Sequence, residues 1–208
     1  MPTRPEPPDQ KPPHPTDEPA TVSAEGLSAS LAALPKKGPP PVHLWNPPYC
    51  GEIDMRIARD GTWFHDGTPI GRAPMVKLFS SILKREGDRY FLVTPVEKVG
   101  IQVEDAPFLA VDFTAKGSGR SQCLTFTTKT EDVVLADTAH AIRVARDATS
   151  DEPAPYIHIR AGMEALIDRK TFYRLVDLGM QEDVDGTPWF GVWSAGVFFP
   201  MIPSADLP

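Results

Sequence analysis

The sequence predicts an α+β fold of two similar halves related by internal duplication, each a curled antiparallel sheet carrying a short helix. Three observations lead there. Fourteen of the 24 prolines precede residue 49, which sets residues 1–41 apart from about 165 residues able to bury a core. Those residues hold short apolar runs joined by Gly, Asp, Ser and Pro turns, as hairpin-connected strands do. A stretch of helical period at Ile70 recurs 97 residues later at Ile167, with the same kinds of neighbour on both sides.

Residues 1–22 are mostly Pro, Asp, Glu and Lys, with too little apolar surface to offset chain entropy, and are expected to form a disordered tail. Leu27, Leu31 and Leu34 share one helical stripe, with Ser23 placed as an N-cap and Pro35 beyond the end. A short helix near 24–34, docked on the body, is therefore expected. Lys36–Pro41 reads as an extended linker, because successive prolines fix polyproline dihedrals and remove donors.

The first half is expected over 42–110. Ile53, Met55 and Ile57 alternate with Asp54, Arg56 and Ala58, and Asp60-Gly61 turns the chain into Thr62–His65, which makes a hairpin. A second turn follows at Asp66–Pro69. From Ala73 the period changes: Val76, Phe79, Ile82 and Leu83 line one face, Lys77, Lys84 and Arg85 the other, and Gly87 lies past the end, so a helix is predicted over 73–85. Strands are predicted at 90–94, 99–103, 108–113, 123–128, 133–136 and 141–145.

The second half is expected over 111–208. Its Ile167-Asp-Arg169 helix start matches Ile70-Gly-Arg72; Tyr156-Ile-His158 parallels Trp63-Phe-His65 upstream, and Trp189–Val192 parallels Tyr90–Val93 downstream. Three elements agreeing in the same order make duplication the better account than chance.

Composition excludes several function classes. The net charge is -7, and Lys36-Lys37 is too short a basic run for a duplex binder, which gathers Lys and Arg on one face to release phosphate counterions. No run of 18 apolar residues is present to span a bilayer, and the amino terminus does not read as a secretion signal. A cytoplasmic protein is expected, with Cys50 and Cys123 as free thiols. No motif asks for a cofactor.

Chemistry-bearing patterns are sparse. Ala115-Lys-Gly-Ser-Gly-Arg120 has glycines and cations suited to an anion, but it lies between two strand-like runs and reads as a hairpin turn. Cys50 with His65 or His158 has the makings of a thiol–imidazole pair, yet no orienting third group is spaced for it, and no paired-ligand spacing marks a metal. An enzyme is the weakest of the readings.

Arg72 and Arg169 stand at the two helix starts, where a cation opposes the helix dipole unless a negative group lies beside it. Asp66 or Glu104 is available to Arg72, and Asp168 or Glu164 to Arg169; the alternative is an anionic ligand held by the guanidinium and the free N–H groups of the helix start. Glu97, Lys98, Glu104 and Asp105 crowd charge among strand-like aliphatics, either as solvated edge charges or as a polar interface between the halves. Trp45 and Tyr49, around the rigid Pro47-Pro48, either clamp the linker to the core or offer rings for stacking.

The strings from Cys50 to His65, Ile70-Gly-Arg72 and Pro95 to Phe108 resemble a bacterial family, domain-of-unknown-function family 1285, over about residue 42 to the end. The resemblance implies a duplicated α+β core, a pleckstrin-homology-like carboxy-terminal half, a ligand site where the halves meet, and a signalling role with a nucleotide-based ligand. On that basis the expected function is non-catalytic ligand sensing. Arg72 would sit on phosphate, with Lys98 or Arg169 assisting. Glu97, Glu104 and Asp105 would accept from ribose or base donors, Trp45 or Tyr49 would stack, and His65 completes the set. The alternative is a protein-interaction adaptor without a small-molecule ligand.

Overall fold

The computed structural model describes residues 26, 40–146 and 152–207. The expected tail, and the helix near 24–34 apart from Gly26, lie outside the described residues; of the linker, only Pro40 and Pro41 lie within them.

The first half is a meander, a helix and a second meander. Strands β1 (Tyr49–Ile57), β2 (Trp63–His65) and β3 (Thr68–Pro69) lead into α1 (Ala73–Ser81), and β4 (Leu83–Glu86), β5 (Arg89–Val93) and β6 (Lys98–Val103) follow. Met55 and Ile57 point inward as the alternation predicts, opposite His65 and Trp63. The Asp60 side chain accepts from the Thr62 N–H at 2.9 Å and closes the turn.

Helix α1 ends at Ser81, four residues before the predicted end. The apolar pair Ile82-Leu83 satisfies a helical face and a strand equally well. The hairpin wins because Leu83 then meets Leu92 across β4–β5, and Gly87 takes the positive φ (62°) that its turn needs. On the inner side Phe79 is fully buried and stacks on Trp63, centroids 6.4 Å apart.

The second half contains β7 (Phe108–Lys116), β8 (Cys123–Thr128), β9 (Val133–Leu135), β10 (Ile142–Arg146), β11 (Pro153–Arg160), β12 (Met163–Ile167), α2 (Arg169–Val176), β13 (Met180–Val184), β14 (Thr187–Ser194) and β15 (Val197–Pro203). Strand β7 belongs wholly to the second sheet, so the changeover between halves falls at 104–107, ahead of the boundary expected after 110. The Ala115–Arg120 stretch ends β7 at Lys116 and continues into the turn that leads to β8, as read.

Strand order makes the duplication visible. The first sheet runs β3-β2-β1-β6-β5-β4: two antiparallel meanders joined by the parallel pair β1–β6. The second copy repeats the succession as β10–β12, α2 and β13–β15, and β7–β9 form an additional meander between the copies. There β10 and β15, the counterparts of β1 and β6, lie against each other while β13-β14-β15 stands as its own sheet. Strand β12 instead takes β7 as a parallel neighbour, giving β10-β11-β12-β7-β8-β9.

Buried Ser194 ties the third sheet down, accepting from the Leu124 N–H at 2.9 Å and donating to the Ala136 carbonyl at 2.6 Å. One continuous apolar cluster joins the halves, with Met55, Trp63 and Phe79 from the first and Phe108, Phe126 and Ile157 from the second.

Candidate functional site

The nine residues expected to bind a ligand separate into small groups. Lys98 and Tyr49 meet on the outer face of the first sheet, around Phe91. The Lys98 ammonium lies 5.0 Å from that ring and 2.9 Å from Glu86; Tyr49 stands edge-on to the ring and donates to Glu52 at 2.6 Å. The Lys98 hydrogen bond, followed by that of Lys84, holds the Glu86 carboxyl below its ordinary range. Trp45 packs partly buried against the core, and its carbonyl accepts from Lys84 at 3.3 Å.

Glu104 and Asp105 turn to other partners. Glu104 binds Arg56 and accepts from the Arg59 N–H at 3.0 Å; Asp105 lies 3.3 Å from the Arg59 guanidinium and accepts from Tyr156 at 2.8 Å. Of these two, only Asp105 reaches across to the second half, through Tyr156; Glu104 is bound within the first half. Glu97 sits half-buried in the loop before β6, its carbonyl accepting from the Thr94 N–H at 2.9 Å. His65 lies 3.6 Å from Asp66.

The two helix-start arginines behave differently, and neither takes the partners foreseen for it. Arg169 pairs with Glu152 at 3.2 Å, because Asp168 caps its own helix by accepting from the Thr171 N–H and Glu164 is held bidentate by Arg143. Arg72 is exposed at the start of α1, with no acidic residue in the first turn and no side-chain partner among the described residues.

A large hollow does lie between the halves. It is a cleft of about 1040 Å³, walled on one side by Pro41, Pro74, Leu78 and β4, and on the other by Thr130–Val134 and Ile159–Met163. None of the nine expected residues lines it. Its charged lining is already matched: Lys77 pairs with Glu131 across the junction, Lys84 lies 3.1 Å from Glu86, and Arg85 donates to the carbonyls of Gly87 and Gly162, each at 2.8 Å. Arg160 bridges the floor, binding Asp132 and donating to the Ser80 carbonyl at 2.7 Å. The rest of the surface is chiefly aliphatic.

A smaller cavity of about 170 Å³ sits at the start of α1, lined by Gly71, Ala73, Lys77, Lys129 and Thr130. A shallow groove of about 380 Å³ on the first sheet contains Glu104. Sequence reading missed Lys77, Asp132, Val133 and Arg160 because nothing local marks them; they lie on a helix face and at strand ends remote from one another in the chain. Among the described residues no three His, Cys, Asp or Glu side chains gather as metal ligands, and no helix is long and apolar enough to cross a membrane.

Two family models match end to end: the N-terminal domain of the domain of unknown function DUF1285 over residues 40–106 and the C-terminal domain of the same family over residues 107–201. The chain belongs to the DUF1285 family. A crystal structure of a DUF1285 protein from Silicibacter pomeroyi DSS-3 is similar, at 64% identity and a TM-score of 0.80, covering 87% of this chain and 97% of that one. A DUF1285 structure from Shewanella baltica OS155 is 32% identical, with a TM-score of 0.46 over 59% of this chain and 90% of that one. No functionally curated protein matches. Membership of DUF1285 thus brings a fold and no assigned activity.

Proposed function

We propose that this DUF1285 protein is a non-catalytic binding protein that holds its partner in the cleft between its two halves. The observation that supports the reading is the lining of that cleft: both halves build it, its surface is mainly aliphatic and proline, and the cations on it already have protein partners. A contiguous hollow of this kind favours an apolar occupant, since displacing water from it is favourable and no charge waits there for an anion. The adaptor reading gains accordingly, and a pleckstrin-homology-like second half would suit it. Catalysis has less to recommend it, because the exposed Cys50 thiol donates to the Pro48 carbonyl at 3.4 Å rather than meeting a histidine.

The reading is tested with Val133→Glu, which puts a charge on the cleft wall at a residue 64% exposed, where folding should be unaffected. In a thermal-shift screen of the full chain against apolar small molecules and peptides, native-state binding raises Tm. We expect the variant to lose the shifts that the natural protein shows. Shifts that all survive Val133→Glu overturn the site.

A second reading keeps the nucleotide-like, signalling ligand. It is favoured by Arg72, which has no side-chain partner among the described residues beside a cavity bordered by Lys77 and Lys129. Nucleotides and cyclic nucleotides should then raise Tm, and Arg72→Ala should abolish the effect while leaving basal stability within about 0.5 kcal/mol.

A further inference from the structure

The cleft is bounded by two sheet edges that have no strand beside them among the described residues. Strand β4 ends the first sheet and β9 ends the second, and residues of both line the hollow. Hydrogen-bond alternation shows which backbone groups face outward. On β9, the Thr128 N–H donates to the Asp132 carbonyl at 2.9 Å and the Ala136 N–H to the Leu124 carbonyl at 2.8 Å. The bonded pairs with β8 are therefore those of Asp132, Val134 and Ala136. Val133 and Leu135 fall between them, with N–H and C=O directed away from the sheet. On β4, the Val93 N–H donates to the Ile82 carbonyl at 3.0 Å, which by the same alternation turns Leu83 and Arg85 outward. No backbone bond to another segment engages these four residues among the described ones.

We propose that the cleft takes an extended peptide segment of another protein, which adds to β9 as a further strand of the second sheet, with β4 as the opposite wall. The inference rests on the cleft being the binding site and goes further in naming its occupant. Backbone pairing supplies affinity in such augmentation, and side-chain pockets supply the choice of sequence.

Three features specify the segment. Val133 and Leu135 are exposed beside the edge, 64% and 36%, so β-branched and other apolar side chains at alternate positions would cover them. The lining cations Lys77, Lys84, Arg85 and Arg160 are each engaged by protein carboxylates or carbonyls, so an uncharged segment is complementary. Pro40 and Pro41, the chain's own residues that line the cleft, follow Pro39 directly, and three successive prolines lack the N–H donors that a strand requires.

The test begins with selection of displayed random peptides on the full chain, followed by synthesis of a retained peptide. Its N-methylation at alternate residues should weaken binding about tenfold or more, while methylation of the intervening residues should leave binding nearly unchanged. The bound peptide should slow amide exchange at Val133 and Leu135, and Val133→Glu should abolish binding.

A peptide whose binding is lost in Val133→Glu, yet which protects neither amide, overturns strand addition and leaves the cleft as the site. A peptide indifferent to Val133→Glu overturns both readings, and failure to retain any peptide overturns strand addition. Amides already slow in the peptide-free monomer would assign the edge to the chain's own amino-terminal segment. Protection that rises with protein concentration, together with a dimer by light scattering, would assign it to a second copy. Either result overturns the proposal.

Discussion

Tyr156 of the second half donates a 2.8 Å hydrogen bond to Asp105, the residue on which the first half closes. Arg59 approaches the other Asp105 oxygen at 3.3 Å, and the Arg143 guanidinium, fixed by Glu164, lies 4.2 Å over the Tyr156 ring. Burial first, and then the bond to Asp105, push the Tyr156 phenol up to about 12. The junction of the halves is thus polar at this point and apolar beneath it.

Tyr156→Phe should lower stability by about 1–3 kcal/mol, because it leaves a carboxylate oxygen without its donor. The phenol pKa is raised on folding, so its contribution is complete below the ordinary value of 10 and disappears as pH climbs through about 12. Denaturant midpoints should fall over that interval in the natural protein and change less in Tyr156→Phe; tyrosinate absorbance should show one late-titrating phenol. Parallel curves for the two proteins would refute the assignment.

Arg160 ties Asp132, the Ser80 carbonyl and the face of Phe108 (4.6 Å) into one cross-junction contact. Arg160→Leu keeps much of the stem packing and removes the donors. A loss of roughly 1.5–3 kcal/mol in urea unfolding is expected, and Lys at this position should recover only part of it, since one ammonium lacks the guanidinium fork.

Glu86 sits between Lys84 and Lys98, which hold its carboxyl below the ordinary 4.5. A depressed carboxyl contributes stability above that value and loses it as pH falls below. Glu86→Gln should therefore be less stable at neutral pH and show a shallower acid limb. An unchanged acid limb in thermal unfolding would mean that the pair does not form.

Gly191 and Gly100 should respond differently to alanine. At Gly191 a methyl group would overlap the Phe199 carbonyl and stand 2.9 Å from the Pro200 Cα, both backbone, so a cost of about 1–3 kcal/mol or more is expected. At Gly100 the obstruction is the exposed Glu52 carboxylate, which can swing aside, and the cost should stay near 0.5 kcal/mol. Paired melts of the two variants measure the contrast.

Strand positions, the Asp60-Gly61 hairpin and the duplication were legible because each depends on neighbours in the chain: alternation in Ile53–Ile57, a turn dipeptide, a helix start recurring as Ile-x-Arg. Where a local pattern fitted two periods, as at Ile82-Leu83, only the availability of Leu92 as a cross-strand partner chose the strand. The candidate site was hardly legible. Arg72 and Arg169 share a motif yet differ in fate, since Arg169 finds Glu152 and Arg72 finds no side-chain partner among the described residues.

By itself the sequence determined the alternating strand at Ile53–Ile57, the Asp60-Gly61 hairpin and the repeated order of elements. The tertiary structure decided the parallel pairings β1–β6 and β12–β7, the cleft, and the edge strands that face it. The physical reason is range: turns and periods are written within a few residues, whereas strand neighbours and cleft walls come from segments tens of residues apart, selected by burial of the whole core at once.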